Sequence, residues 1–189
     1  LDTTRADRLG TYGYMRRQTS PHIDDFAERS TVFEMAFSHS PWTKPSVASM
    51  FTSLTPREHG IFDWKIKLEE ALLTLPEHLQ AQGFVTQAHI SHHAFQPKDT
   101  NFKLGFDHYD KSVLTKGSPN EVTSSAEITD HGIKFLKHRP DKRFFLWLHY
   151  TDPHEDYIRH EQFDFGKSKK ARYDSEIAFM DHHLGRLFE

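Results

Sequence analysis

Thr74-Leu75-Pro76-Glu77-His78-Leu79-Gln80-Ala81-Gln82-Gly83, followed at once by Phe84-Val85-Thr86-Gln87-Ala88-His89-Ile90, is the stretch that decides the fold class. A capping threonine, a proline in the first turn and a closing glycine predict a short helix. The helical punctuation then stops, and Val85, Thr86 and Ile90 predict a strand. Upstream, Ser20-Pro21 with Asp24 and Asp25 predicts a helix over 21–29, and the alternation Thr31 to Phe37 predicts a strand. That strand delivers the chain through Ser38-His39-Ser40-Pro41-Trp42 to Thr43-Lys44-Pro45-Ser46, which opens a helix running to Leu54. Downstream, Ile128, Ile133, Phe135 and Leu136 predict a helix from Ser124 to His138, ended near Arg139-Pro140. The apolar run Arg143 to Tyr150 then reads as a buried strand, and 111–120 as a turn-rich connection. From Lys170 to Glu189, Tyr173, Ile177, Met180, Leu184 and Leu187 fall at helical spacing. Helices alternating with strands predict an α/β layered sheet with helices on both faces.

At 189 residues the chain is one domain or part of one, against a typical domain of roughly 150. Twenty-four basic against 27 acidic residues give a net charge of −3, which argues against a nucleic-acid or anionic-membrane partner. Hydrophobic content is 36%, but 16 Phe, 6 Tyr and 3 Trp carry enough apolar area for a core. The longest strongly apolar stretch, Phe144 to Leu148, is far short of the roughly 20 residues a membrane span requires. Zero cysteines exclude disulfides, thiolate metal ligands and a cysteine nucleophile. The 15 histidines are dispersed rather than gathered in a metal-buffering tract. The chain starts at Leu1 and stops inside a helical pattern, so an internal piece of a longer protein is expected and its compartment is not read from it.

In open α/β sheets ligands gather beyond the carboxyl ends of strands. Asp2, Thr43, the pair His92 and His93, and Asp152 with His154 occupy such places. A carboxylate, a hydroxyl at a helix N-terminus and several imidazoles suit a metal-assisted nucleophilic site for anionic esters. A threonine hydroxyl attacks only when a metal or base favours the alkoxide. Each residue also has a plain structural reading: Thr43 as a helix N-cap, Asp2 as a capping carboxylate, the histidines as exposed or hydrogen-bonded in the core.

Asp2-Thr3-Thr4-Arg5-Ala6-Asp7-Arg8-Leu9-Gly10, with Tyr12-Gly13-Tyr14 and Ser20-Pro21-His22-Ile23-Asp24, resembles the amino-terminal signature of the sulfatase family, within the alkaline-phosphatase-like superfamily. Ser40-Pro41-Trp42-Thr43-Lys44-Pro45-Ser46-Val47 resembles the family's nucleophile segment, and Glu58-His59-Gly60 the His-Gly that follows it. Gly105 to Asp110, Phe144 to Tyr150 with Asp152-Pro153-His154, and Tyr173 to Ile177 with Asp181 continue the likeness in order. The resemblance implies residues 1–189 as the amino-terminal part of a single catalytic domain, truncated at both ends. It implies Asp2 as a ligand of a divalent cation (Ca, Mg, Mn or Zn), Thr43 in the nucleophile position and His154 against the substrate's anionic group or leaving oxygen. His92 or His93 lies where many members place a substrate-facing lysine or histidine. The implied partner is a small-molecule, glycan or lipid anionic ester, and the family often acts on exported esters, an extracytoplasmic setting.

Two departures shape the expected chemistry. Most sulfatases carry Cys or Ser in a Cys/Ser-x-Pro-Ser-Arg motif that is oxidised to formylglycine; here Thr43 stands at that position and Val47 at the arginine. Oxidising a threonine gives a ketone, so formylglycine is not expected. Unmodified threonine suits superfamily branches that attack phosphorus, which makes a phosphoryl-group transferase, or a non-catalytic relative binding anions, the alternatives to hydrolysis. Secondly, the later Asp-His/Asn-Gly segment that completes the family's metal site is not found. Asp130-His131-Gly132 copies its letters inside a predicted helix and out of order. With Asp2 as one ligand, this polypeptide alone is expected to be inactive.

Overall fold

The computed structural model describes residues 1–96, 100–114, 123–139 and 141–189. In chain order its helices are α1 Pro21–Glu28, α2 Thr43–Thr52, α3 Pro56–His59, α4 Leu75–Ala81, α5 Ser125–His138 and α6 Lys169–Phe188. Among the described residues its strands are β1 Val85–His89, β2 His108–Asp110 and β3 Phe144–Leu148, and four short 3-10 turns punctuate the loops. The chain divides into two compact units, each described by itself: residues 36–114 with 138–148, and residues 1–35 with 115–137 and 149–189.

The first of these holds a parallel sheet of order β2-β1-β3. Val85 to His89 pair with Phe144 to Leu148, and Gln87 to His89 with His108 to Asp110. Parallel neighbours need crossover connections, and α4 supplies the approach to β1. Its start follows the sequence pattern: Thr74 accepts the Glu77 N–H while the Glu77 carboxylate receives the Thr74 N–H and hydroxyl, a reciprocal cap. Val47, Ala48 and Phe51 of α2 pack with Ile61, Leu68, Ile90, Phe95 and Phe102 into the core of this unit. Phenylalanine makes that core dense: Phe51 and Phe95 both meet the Trp147 ring edge-on, at 4.9 and 5.1 Å between centroids.

The second unit folds the amino-terminal signature onto α6. Asp174 of α6, fully buried, accepts the Tyr14 hydroxyl at 2.6 Å and pairs with Arg17, with Arg8 at 3.6 Å. Asp181, two turns further on, accepts the backbone N–H groups of His22 and Ile23 and thereby caps α1 from a distance in sequence. Gly10 leaves room for Asp24: a Cβ there would sit 2.1 Å from the carboxylate that holds the Thr11 N–H and hydroxyl, so that carboxylate would have to shift. Tyr173 and Ile177 pack against Leu9, completing the apolar side of this layer.

Most predicted elements are present at their expected places, with three differences. No strand forms over 31–37: Phe33, Met35 and Phe37 are exposed at 70, 76 and 78%, and among the described residues the segment has no ladder partner. Alternation without a partner strand does not make a strand, since the backbone groups remain with water. β3 is half-buried along its length rather than buried, as befits an edge strand among the described residues. The short strand β2 lacks a hydrophobic run long enough to be foreseen. Of the 111–120 connection only 111–114 lies within the described residues, and Pro140 lies outside them. Among the described residues no helix is long and apolar enough to cross a membrane.

Candidate active site

Thr43 is the first residue of α2, and the cap is Trp42, with extended backbone and no side-chain cap hydrogen bond. The N-cap reading of Thr43 therefore does not hold; its hydroxyl stands in the first turn, where helix N–H groups lack intrahelical partners and favour negative charge. Pro45 fits in the same turn because its missing N–H is one of those unpaired donors. The approaching loop is tied to this turn by Ser38, whose hydroxyl lies 2.7 Å from that of Ser46 and donates to the Ser40 carbonyl at 2.8 Å. Lys44 is fully buried and its Nζ donates to the Trp64 carbonyl at 2.6 Å.

Val47 settles the family's arginine position. Its side chain is 5% exposed in the core with Phe51, Ile61 and Leu68, so this point of α2 offers no fork donor to an anion. The His-Gly element is structural. His59 is buried, its Nδ1 accepts the Ile61 N–H at 3.2 Å, and its Nε2 lies 3.1 Å from the Ser49 hydroxyl. With Nδ1 accepting, Nε2 carries the proton, and burial pushes the imidazole's pKa down, keeping it neutral while it fastens α3 to α2.

His92 is buried and caps the 3-10 turn His93–Phe95 by accepting the Ala94 N–H at 3.1 Å, whereas His93 is exposed. Of the two histidines, only His93 thus faces solvent. Both stack against Trp64, at 6.2 and 5.9 Å between ring centroids.

In the other unit the Asp2 backbone N–H donates to the Tyr150 carbonyl at 2.9 Å, just beyond the end of β3 in sequence. Asp2 sits in a turn, so this single bond ties the turn to the chain that follows β3. Its Oδ1 accepts the Thr3 N–H at 2.9 Å and its Oδ2 lies 3.7 Å from His149 Nε2, with side-chain exposures of 10 and 5%. A sheltered carboxylate oxygen and imidazole nitrogen are donors that a divalent cation accepts, so these residues fit part of a metal's ligand set. His154 is half-exposed; its N–H donates to the Thr151 carbonyl at 3.0 Å, and its Nδ1 lies 2.9 Å from the Glu155 carbonyl oxygen. Asp152 serves the fold, accepting the Ser124 N–H and hydroxyl and the Ser125 N–H and so capping α5. Asp130 lies inside α5 and pairs with Arg186, so Asp130-His131-Gly132 is part of a helix.

The sulfatase profile matches residues 1–189, the whole chain. The chain belongs to the sulfatase family. This sulfatase-family chain is 27% identical over 156 residues to human N-sulphoglucosamine sulphohydrolase, covering 78% of the chain and 29% of that protein. It is 23% identical over 154 residues to the delta 4,5-hexuronate-2-O-sulfatase of Bacteroides thetaiotaomicron, covering 77% of the chain and 31% of that enzyme. The crystal structure of Ps i-CgsB superposes with a TM-score of 0.78 at 17% identity over 97% of the chain and 51% of that structure, which supports the fold. The sulfatase chain thus spans about three-tenths of the length of the curated relatives it matches.

Two features of the site's surroundings escape a reading of the sequence. His149, which stands beside Asp2, reads there as the tail of a strand, and the packed rings of Trp42, Trp64 and His93 do not stand out as a group. The second has a signal in Phe62-Asp63-Trp64-Lys65-Ile66-Lys67, where exposed aromatic and basic residues interleave.

Proposed function

We propose that this chain is part of an ester hydrolase in which Thr43 is the nucleophile toward a sulfate or phosphate ester. The observation that carries the reading is the first-turn position of Thr43 on α2, in a chain whose ordered motifs match the sulfatase family from end to end. The Thr43 hydroxyl oxygen bonds to the sulfur or phosphorus in line with the departing alkoxide, and the bond to that alkoxide breaks. His154 delivers a proton to the leaving oxygen, and the first-turn N–H groups of α2 stabilise charge on the nonbridging oxygens. Water then attacks the threonine ester and regenerates the hydroxyl. Asp2, with His149 beside it, would hold part of a divalent cation's coordination shell; neutralising charge on the ester oxygens and lowering the nucleophile's pKa is what such an ion supplies when bound.

Phosphoryl transfer to an alcohol is the second reading, and it rests on Thr43 together with the buried Val47. A threonine cannot form the aldehyde hydrate of formylglycine enzymes, and the arginine that would grip the anion is replaced by a core residue. Thr43→Ala in the intact protein should abolish turnover of both a sulfate ester and a phosphodiester. Retained turnover in that variant overturns the nucleophile assignment, and product analysis with an added alcohol separates hydrolysis from transfer. An intact protein that cleaves neither ester class leaves the non-catalytic, anion-binding reading.

A further inference from the structure

We propose that Arg5, Arg8, Lys169 and Lys170, with the rings of Tyr157 and Tyr173, form a binding site for a dianionic phosphate monoester. These side chains and Thr3 line a cleft of about 450 Å³, and all of them belong to the unit that contains α6. Asp2, Thr43, His149 and His154 are not in that lining, so the inference goes beyond the hydrolase reading and is tested apart from it.

The lining holds four cations and no acid, and the acids nearby do not balance it. Arg5 is forked onto Asp7, through Nε at 2.8 Å and Nη2 at 2.6 Å, and Lys169 is paired with Glu155. Arg8 has only shared carboxylates: Asp174, at 3.6 Å, also pairs with Arg17, and Asp7, at 3.7 Å, is taken by Arg5. Lys170 is exposed, and its ammonium has no ion-pair partner among the described residues. Arg8 and Lys170 are thus the two cations without a carboxylate of their own, and the field they leave in the cleft is positive.

Arg8 also carries the observation that asks for a ligand. Its Nε is buried with no hydrogen-bond partner among the described residues, and the Asp7 oxygen at 3.7 Å is beyond hydrogen-bond reach. Buried donors are nearly always paired, so a donor left over on a residue that lines a cleft is one that an arriving acceptor would satisfy. A phosphoryl oxygen is such an acceptor, and guanidinium groups are suited to phosphate geometry.

Charge and size narrow the ligand further. A sulfate monoester brings one negative charge, whereas a phosphate monoester brings nearly two at neutral pH, so a surplus of cations favours the phosphate. The volume lies in the range of small-molecule sites and admits the body of an ester as well as its phosphoryl group. Half-buried Tyr157 supplies a ring face for that body. Its ring lies 5.1 Å from that of Tyr173 and its centre 6.0 Å from Lys169 Nζ, so apolar surface and charge adjoin. Tyr173 is pinned in place, its hydroxyl donating to the Thr3 carbonyl at 2.6 Å and accepting the Arg5 N–H at 2.9 Å.

The test is calorimetric titration of the intact protein at about pH 8, with a metal chelator present, using three probes. Phenylphosphonate is a dianion that cannot be hydrolysed as an ester, benzenesulfonate has the same shape with one charge, and inorganic phosphate has the charge without the body. Saturable binding of phenylphosphonate is expected, with the other two at least about fivefold weaker. Lys170→Gln, at an exposed position, should weaken phenylphosphonate about fivefold and flatten its dependence on salt. Arg8→Lys keeps the charge but removes the Nε donor and should weaken it about threefold. Tyr157→Ala should weaken phenylphosphonate several-fold and leave inorganic phosphate unchanged. Far-UV circular dichroism checks each fold; should Arg8→Lys not fold, Lys170→Gln and Tyr157→Ala carry the test. Equal binding of benzenesulfonate, or unchanged affinity in the Lys170 and Tyr157 variants, overturns the site. Inorganic phosphate binding as tightly as phenylphosphonate overturns the monoester assignment. Binding that disappears with the chelator, or in Thr43→Ala, places the anion at the ester-cleaving residues and also overturns the proposal. Binding with the expected dependences in a protein that cleaves no ester defeats the hydrolase reading and leaves this site standing.

Discussion

Restoring the family's arginine by Val47→Arg should destroy stability rather than create sulfatase activity. Val47 is 5% exposed on α2 and packs in the core with Phe51, Ile61 and Leu68. Removing the valine forfeits about 2 kcal/mol of burial. Forcing a longer side chain into a filled space costs about 1–3 kcal/mol more. The guanidinium also needs partners at a position packed in an apolar cluster, and even partial escape to solvent leaves a penalty of a few kcal/mol. The sum, about 4 kcal/mol or more, is a large share of the roughly 5–15 kcal/mol that holds a domain together. With a urea dependence of about 2 kcal/mol per molar, the unfolding midpoint should fall by about 2 M or the protein should not fold at all. Val47→Ala, which only removes methyl groups, should lose about 1–2 kcal/mol and gives the scale. A Val47→Arg protein with an unchanged midpoint, and above all one with new sulfate-ester turnover, would show that position 47 faces the substrate and refute this placement.

Three further outcomes are expected. Asp181→Ala should cost about 1–3 kcal/mol in urea unfolding and release α1, because His22 and Ile23 lose their shared acceptor; hydrogen exchange at those two amides should accelerate, and unchanged protection would contradict the cap. Gly10→Ala should be among the most damaging single-methyl changes, since the added Cβ meets the Asp24 carboxylate at 2.1 Å; a melting temperature equal to the parent's would show that Asp24 is free to move. Burial holds the folded pKa of His59 below its ordinary 6.5, so the unfolded state takes up more protons as pH falls through that value. Stability contributed by neutral His59 is therefore present above pH 6.5 and lost as pH drops below it. The urea midpoint should decline from about pH 7.5 to about 5.5, and by less in His59→Gln; an identical pH slope in the two proteins would contradict the assignment.

The parts of the fold that are legible in the sequence are those whose cause is local. Thr74 and Glu77 cap α4 with groups three residues apart, and the five residues that follow Phe84 pair as β1 because their own spacing and branching suit a strand. The α6 helix is likewise written in its own period, with Tyr173, Ile177, Met180 and Leu184 buried on one side. Residues 31–37 show the opposite case. Their alternation is as regular as that of a strand, but a strand exists only with a partner, and nothing local says whether one will be there. The acidic residues of α6 show it again: Asp174 and Asp181 look like solvated helix charges, yet they bind segments more than 150 residues away.

The candidate site divides along the same line. That Thr43 opens a helix can be read from Trp42-Thr43-Lys44-Pro45, but whether its hydroxyl caps that helix or stands within the first turn is a matter of one residue's backbone angles. The ordered motifs mark Asp2, Thr43 and His154 because such resemblance records positions. It does not record what each neighbour does in this chain. Lys44 and Asp152 both flank marked residues and carry charge, and from sequence either could be assigned to the substrate. Geometry gives them other work: one holds the Trp64 carbonyl and the other caps α5. Trp64 lies outside every quoted motif, yet a motif residue holds it: the Lys44 ammonium, which sequence alone would offer to an anion, is engaged by a backbone carbonyl instead, so nearness to a marked residue does not carry over into a share in its chemistry.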